Sequence, residues 1–217
     1  MDTIRAMAGN FGRIATLGAL LIASAASAEN PSAFTVISPI FGQLVSFSMP
    51  MIFVAASEKT SGPTYIREAV LKGETVNRWT QMITVTGAKG LAANPKVTPE
   101  TFAGSIAGGF KNACPDTFAA EGLGAAKFGG RDAYVAIASC GRLESGADRR
   151  SETALIVAIK GSADYYTVQW AERAVASDKP AIDAAKWQAR LRQLQPIRLC
   201  PIVPGETAPY PSCVGKN

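Results

Sequence analysis

The sequence predicts an α+β domain: a mostly antiparallel sheet of about seven strands packed with two long helices. Three observations predict it. Residues 131–140, 152–160 and 164–172 read as three successive strands, with turn signals at 141–151 and 161–163 between them. Two helical stripes stand apart from these strands. Phe102, Ile106 and Phe110 recur at i, i+4 and i+8, and Ile182, Trp187, Leu191 and Leu194 line a second face. The links are mostly short and hairpin-like, which favours antiparallel pairing over helical crossovers.

Taken in order, residues 30–41 are apolar but broken by Pro31, Ser38 and Pro39. They read as a flexible lead-in across 29–42, with a short strand at 34–37. From Gln43 the pattern alternates. Val45, Phe47, Met49, Met51 and Phe53 share one face of an extended strand. Pro50 cannot donate to a ladder, so this strand reads as an edge or a bulge there. Residues 57–63 (SEKTSGP) read as a polar turn, 65–71 as the next strand, and 72–74 as another turn. Residues 75–79 read as one helical turn placing Trp79 against the sheet, and 81–86 as a β-branched strand.

After a loop at 87–97, Thr98-Pro99 opens a helix, with threonine as N-cap and proline at the first helical position. Gly104, Gly108 and Gly109 each weaken it by up to about 1 kcal/mol against alanine, and are expected to let it approach the sheet closely. Cys114-Pro115 stops it, because the residue before proline disfavours helix. Residues 117–127 read as a strand, and 128–130 as a hairpin turn. Residues 154–159 are apolar on both faces, which reads as a central strand covered on both sides. Ser177-Asp178 and Pro180 read as the start of the second helix, with Lys186, Arg190 and Arg192 facing outward; Pro196 ends it. The tail, 196–217, holds prolines at 201, 204, 209 and 211 and reads as a looped, disulfide-closed appendage.

The chain has 217 residues, enough for one domain with a sizeable core, here placed at 43–195. Its start reads as an export signal. Arg5 and Arg13 form the positive region, residues 14–23 a short apolar stretch, and Ala26-Ser27-Ala28 a cleavage site. The apolar stretch is too short to span a bilayer. The expected compartment is the periplasm or the exterior, with no stable membrane insertion after cleavage following Ala28. The mature chain of 189 residues then carries a mild formal charge of +4, with 20 Lys+Arg and 16 Asp+Glu. There is no basic stripe with interleaved aromatics, so nucleic acid is not an expected partner.

Four cysteines, Cys114, Cys140, Cys200 and Cys213, occur in this exported chain, and an even count suggests two disulfides. Three pairings are possible. Cys114–Cys140 and Cys200–Cys213 are favoured because each flanks one local unit, and each closure stabilises by roughly 3 kcal/mol. Metal ligation is the weaker reading, since no C-x-x-C spacing and no histidine occur.

The absence of histidine is the most discriminating fact about chemistry. It removes Ser-His-Asp and Cys-His sites, HExxH zinc sites and any histidine general base. No G-x-S-x-G or S-x-x-K signature occurs, and residues 122–127 (GLGAAK) lack the third glycine of a dinucleotide fingerprint. No cofactor and no metal is expected. Asp116, Glu121, Asp132, Glu144, Asp148 and Glu152 are the pool from which a carboxylate pair could act, as in glycosidases. Most lie at turns or strand ends, where a solvated charge is the ordinary reading. Glu144, Asp148, Arg149 and Arg150 cluster at one hairpin tip with Glu152, and the four are the candidate contact for an envelope partner. Trp170 and Tyr166, with Arg131 and Arg173 at the edge, are the candidate lining of a cleft for an anionic or amphipathic ligand.

The segment Glu74-Thr75-Val76-Asn77-Arg78-Trp79-Thr80-Gln81-Met82-Ile83-Thr84-Val85, followed by a helix and Cys114-Pro115, resembles a group of exported proteobacterial proteins of unknown function. The element order across 43–192 also resembles the photosystem PsbP and Mog1-like α/β/α sandwich. That resemblance implies a non-catalytic docking or accessory domain and supplies no catalytic residues to carry over. The cysteine-closed tail lies outside the pattern. The expectation is a periplasmic or secreted non-catalytic accessory domain that binds an envelope protein or small ligand. The alternative is an envelope hydrolase using a carboxylate pair.

Overall fold

The computed structural model describes residues 32–143, 149–180 and 182–214. The export signal at 1–28, with its cleavage site, and Glu144 and Asp148 lie outside the described residues. The first described element is strand β1 (Ala33–Ile40), which pairs along its whole length with β2 (Gln43–Pro50). The expected flexible lead-in is therefore a full strand. Proline and serine do not break it: Pro39 faces Leu44 in the register, and buried Ser38 accepts a hydrogen bond from Arg67 Nη1 (2.9 Å).

Val45, Phe47 and Met49 are buried on one face as their spacing implies, but the strand ends at Pro50. Met51 turns outward, 61 % exposed, and its amide bonds back to the Ser32 carbonyl (3.0 Å). A separate strand, β3 (Phe53–Ser61), then begins. It continues through 57–61, where the sequence suggests a turn. The polarity has another cause: Glu58 and Lys59 stand in solvent, with Glu58 opposite Arg67 of β4 (Thr64–Leu71). The real turn is Gly62-Pro63, where Gly62 takes φ +55°.

Residues 75–79 form no helical turn. Thr75 and Arg78 exchange two backbone hydrogen bonds (3.1 and 3.0 Å) in a tight loop, which still buries Trp79. After β5 (Gln81–Ala88) comes helix α1 (Pro99–Ala113), capped by Thr98, whose hydroxyl accepts from the Thr101 amide (3.1 Å). The glycines of α1 do not face the sheet, for a Cβ at 104, 108 or 109 would meet nothing within 4 Å. Ala103 and Ala107 make the close approach instead.

The strands β6 (Phe118–Phe128), β7 (Arg131–Leu143), β8 (Arg150–Lys160) and β9 (Tyr165–Val175) follow as a meander. Helix α2 (Ala184–Leu194) starts later than Ser177-Asp178, because Asp183 is its cap and accepts from the Lys186 amide (3.0 Å). Strand β10 (Arg198–Pro201) and the short helix α3 (Pro211–Val214) complete the described chain. The tail is thus partly built into a sheet, since β10 pairs with β2.

Two sheets result, one of seven strands ordered β3-β4-β5-β9-β8-β7-β6 and one of three ordered β1-β2-β10, all antiparallel. One face of the large sheet packs on the small sheet and α2, through residues such as Phe47, Phe53, Leu155, Trp170 and Trp187. The other face is alanine-rich (Ala136, Ala138, Ala154, Ala158) and receives α1. Leu155, Val157 and Ile159 of β8 face the first core, while Ala154, Ile156 and Ala158 face the second. That is why residues 154–159 of this strand are apolar at every position. Disulfides Cys114–Cys140 and Cys200–Cys213 are both formed, the first tying the end of α1 to β7. Among the described residues no helix is long and apolar enough to cross a membrane.

Candidate functional site

The cleft anticipated around Trp170 and Tyr166 does not form. Both side chains are core, at 1 % and 0 % exposure. Trp170 meets Phe53 edge-on (centroids 5.1 Å apart) and is roofed by the Arg190 guanidinium at 4.5 Å, while its ring N–H donates to Gln81 (3.2 Å). The Tyr166 hydroxyl donates to Asp164 (3.1 Å), with the Ile40 carbonyl 3.2 Å away. Arg131 and Arg173 sit at opposite ends of the sheet. Arg131 bonds Ser162 beside the β8–β9 turn, whereas Arg173 lies near the end of β9. Eight residues of strand separate those ends by about 26 Å.

Arg173 instead belongs to an open recess of about 710 Å3 at one end of the large sheet. Three segments build it: the β4–β5 loop with Glu74, Arg78, Trp79 and Thr80; the entry to β8 with Arg149 and Arg150; and the end of β9 with Arg173 and Val175. The register explains the convergence. The Arg173 amide bonds the Thr80 carbonyl (2.8 Å), and Arg150 faces Val175 across β8 and β9. Trp79 is the floor, with the Arg173 guanidinium 3.8 Å from its ring centroid. Arg173 Nε donates to Glu152 (2.9 Å), which fixes the guanidinium plane.

Glu74 is the one carboxylate among the described lining residues, against four arginines. Burial pushes its pKa up, but the Thr80 hydroxyl (2.6 Å) and amide (3.0 Å) outweigh this and leave it below its ordinary range. Glu74 is therefore charged and already committed as an acceptor. The recess presents guanidinium donors, which suit the paired oxygens of a carboxylate, phosphate or sulfate.

Of the candidate partner contacts, Arg149 and Arg150 join this recess. The carboxylate pool is dispersed. Glu152 pairs with Arg173, and Asp132 pairs with Lys127 (2.5 Å), whose hydrogen bond and charge hold it below its usual range. Asp116 sits in the short turn Pro115–Thr117, and Glu121 is exposed on edge strand β6. Two other recesses hold acids. One, of about 600 Å3, contains Glu100 and Asp132; the other, of about 220 Å3, contains Glu172 and Asp183. Glu172 is bridged by Arg190 (2.8 Å) and Lys186 (2.5 Å), and Asp183 caps α2. No group of three metal-ligating side chains occurs among the described residues. The signal for Arg78 and Trp79 was in their loop, but only the β4–β5–β9 register brings them to Arg173.

Fold and site together define an α+β sandwich with a basic recess at one sheet end. No family model matches the chain, and no curated protein matches it. Among solved structures it is similar to the cyanobacterial PsbP protein of Synechocystis, at 11 % identity and a TM-score of 0.47, over 82 % of this chain and 98 % of that one. It is similar to Mog1p, a Ran-binding protein of Saccharomyces cerevisiae, at 11 % identity and a TM-score of 0.41, over 76 % and 87 %. It is also similar to LpqN of Mycobacterium tuberculosis, a protein involved in cell envelope biogenesis, at 12 % identity and a TM-score of 0.39, over 78 % and 91 %.

Proposed function

We propose that this chain is an exported, non-catalytic binding domain that takes an anionic group of an envelope partner or small ligand in the arginine-lined recess. One observation carries the reading: Arg78, Arg149 and Arg173 come from three separate segments to line one recess, Arg173 lying over the Trp79 ring and paired with Glu152, while Glu74, the one lining carboxylate among the described residues, is already bonded by Thr80. Like charges gathered this way repel one another in the empty state, so an anion relieves the repulsion as it binds. Two disulfides suit an oxidising compartment, as does the export signal read in the sequence.

Titration with inorganic sulfate or pyrophosphate, followed by tryptophan fluorescence, tests this. A saturable change is expected, lost in Trp79→Phe because Trp170 and Trp187 lie in the other core. The Arg78→Gln/Arg149→Gln variant should weaken it at least tenfold. A response that is absent, or unchanged in that variant, refutes the recess as the binding site.

A further inference from the structure

The recess is one part of a larger end face. β3 begins where β4 ends, β4 ends where β5 begins, β5 begins where β9 ends, and β9 ends where β8 begins. The residues at these five strand ends therefore lie in one row, about 19 Å long at the usual strand spacing. At its β3 end the row carries Met51 and Ile52, 61 % and 56 % exposed on a corner whose carbonyl at Ile52 receives the Lys72 amide (2.9 Å). Near its β8 end Val175 stands 89 % exposed on the recess rim. Between and beside them are the exposed cations Lys72, Arg78 and Arg149, none of which makes an ion pair among the described residues.

Bare aliphatic tips alternating with basic side chains on one end face have a known physical use. The tips enter the headgroup boundary of a bilayer while the cations meet lipid phosphates. A protein partner would more often offer the tips a pocket and the cations discrete carboxylates. Here the apolar residues are spread along the row rather than gathered, and the lining acid, Glu74, is tied down by Thr80. A continuous anionic plane with a soft apolar layer beneath is the surface that satisfies both sets at once.

We infer that this end face docks on an anionic phospholipid bilayer, with Met51, Ile52 and Val175 at the headgroup boundary and Lys72, Arg78 and Arg149 on the phosphates. The inference rests on the recess being an anion site and names the bilayer as the source of the anion. Docking is peripheral and reversible, since two or three aliphatic tips bury little area.

The test is co-sedimentation of the chain, as the producing cell processes it, with vesicles of phosphatidylcholine alone or mixed with phosphatidylglycerol. Binding is expected to the mixed vesicles only, and to fall as salt rises. Each cation near an anionic surface is worth about fivefold, so Arg78→Gln/Arg149→Gln should weaken partition roughly 25-fold. Met51→Ser/Ile52→Ser should weaken it as well, leaving binding more salt-sensitive. Lys59→Gln/Lys96→Gln removes the same charge from the opposite end and should change little. Equal losses in both charge variants would mean that net charge alone binds, which overturns the inference. Binding unaffected by the Met51/Ile52 change and fully displaced by free glycerol phosphate also overturns it. Should vesicles fail while sulfate still perturbs Trp79, the bilayer falls and the anion site stands; failure of both removes both.

Discussion

Asp164 is 4 % exposed, and its carboxylate ties two distant segments to its own. It accepts from the Gly90 amide (2.7 Å) after β5, from the Gly42 amide (3.4 Å) in the β1–β2 turn, and from the Tyr166 hydroxyl (3.1 Å). Its own carbonyl closes the β8–β9 turn on the Gly161 amide (2.9 Å). Asp164→Ala removes the side-chain bonds and keeps the turn. Hydrogen bonds to a charged group are worth about 1.5–3 kcal/mol, and the Gly42 bond is too long to count fully. Water can reach both glycine amides once the carboxylate is gone, and Tyr166 keeps the Ile40 carbonyl (3.2 Å). The expected loss is therefore about 2–3 kcal/mol. With a urea m-value near 2 kcal/mol/M, the midpoint should fall by about 1–1.5 M in equilibrium unfolding with disulfides intact. Tyr166→Phe should cost about 1–2 kcal/mol by removing the one hydroxyl donor shared between the Asp164 carboxylate and the Ile40 carbonyl. The two changes should be non-additive by at least about 0.5 kcal/mol. A midpoint for Asp164→Ala equal to the parent, or strict additivity with Tyr166→Phe, would refute the view that this carboxylate stitches the three segments.

Two other outcomes follow from covalent and protonic features. Reduction of the purified chain should add four hydrogens by intact mass, and lower stability by roughly 3 kcal/mol for each loop opened, 26 and 13 residues apart in sequence. Four free thiols before reduction would contradict it. Burial, and then the hydrogen bond to Glu58 (2.9 Å), push the Tyr65 hydroxyl up to about 12, and burial pushes Tyr166 up as well. An unfolded tyrosine ionises near 10, so between about pH 10 and 12 the folded state holds protons that the unfolded state has released. Stability should be intact below pH 10 and fall as pH rises through that window. Denaturation at pH 9 and 11, beside Tyr65→Phe, checks this; a variant with an unchanged alkaline slope would count against it.

The β6–β9 meander was legible because glycine-rich turns separate its alternating runs, and Thr98-Pro99 announced α1 correctly. What escaped was set by distant partners. β1 looks broken in sequence, yet its Ser38 and Pro39 are accommodated by Arg67 and by the β2 register. β3 looks like a turn because both its faces are wet. A serine-aspartate pair, Ser177-Asp178, precedes helix α2, but the cap is Asp183, after Pro180. The site shows the same division. Period-two spacing tells which face a residue takes but not how deeply that face is covered. Trp170 reads as a lining residue in the sequence because nothing local reveals Arg190 and Phe53 against it. Arg149, Arg150 and Arg173 were each visible as charges near strand ends; their meeting at Trp79 depends on pairings such as Gln81 with Glu172.

The middle strand of the small sheet, β2, takes one neighbour from the start of the described chain and the other from near its close. A chain made or threaded N-terminus first must wait for about 150 further residues before Ser46 can meet Arg198, which is a slow, non-local closure. Until then one flank of β2, with Leu44 and Val45, is an open apolar margin ready to adhere to another molecule. The final strand is in this sense a seal. Trimming the chain from its far end would leave the nascent form of its first hairpin permanently exposed.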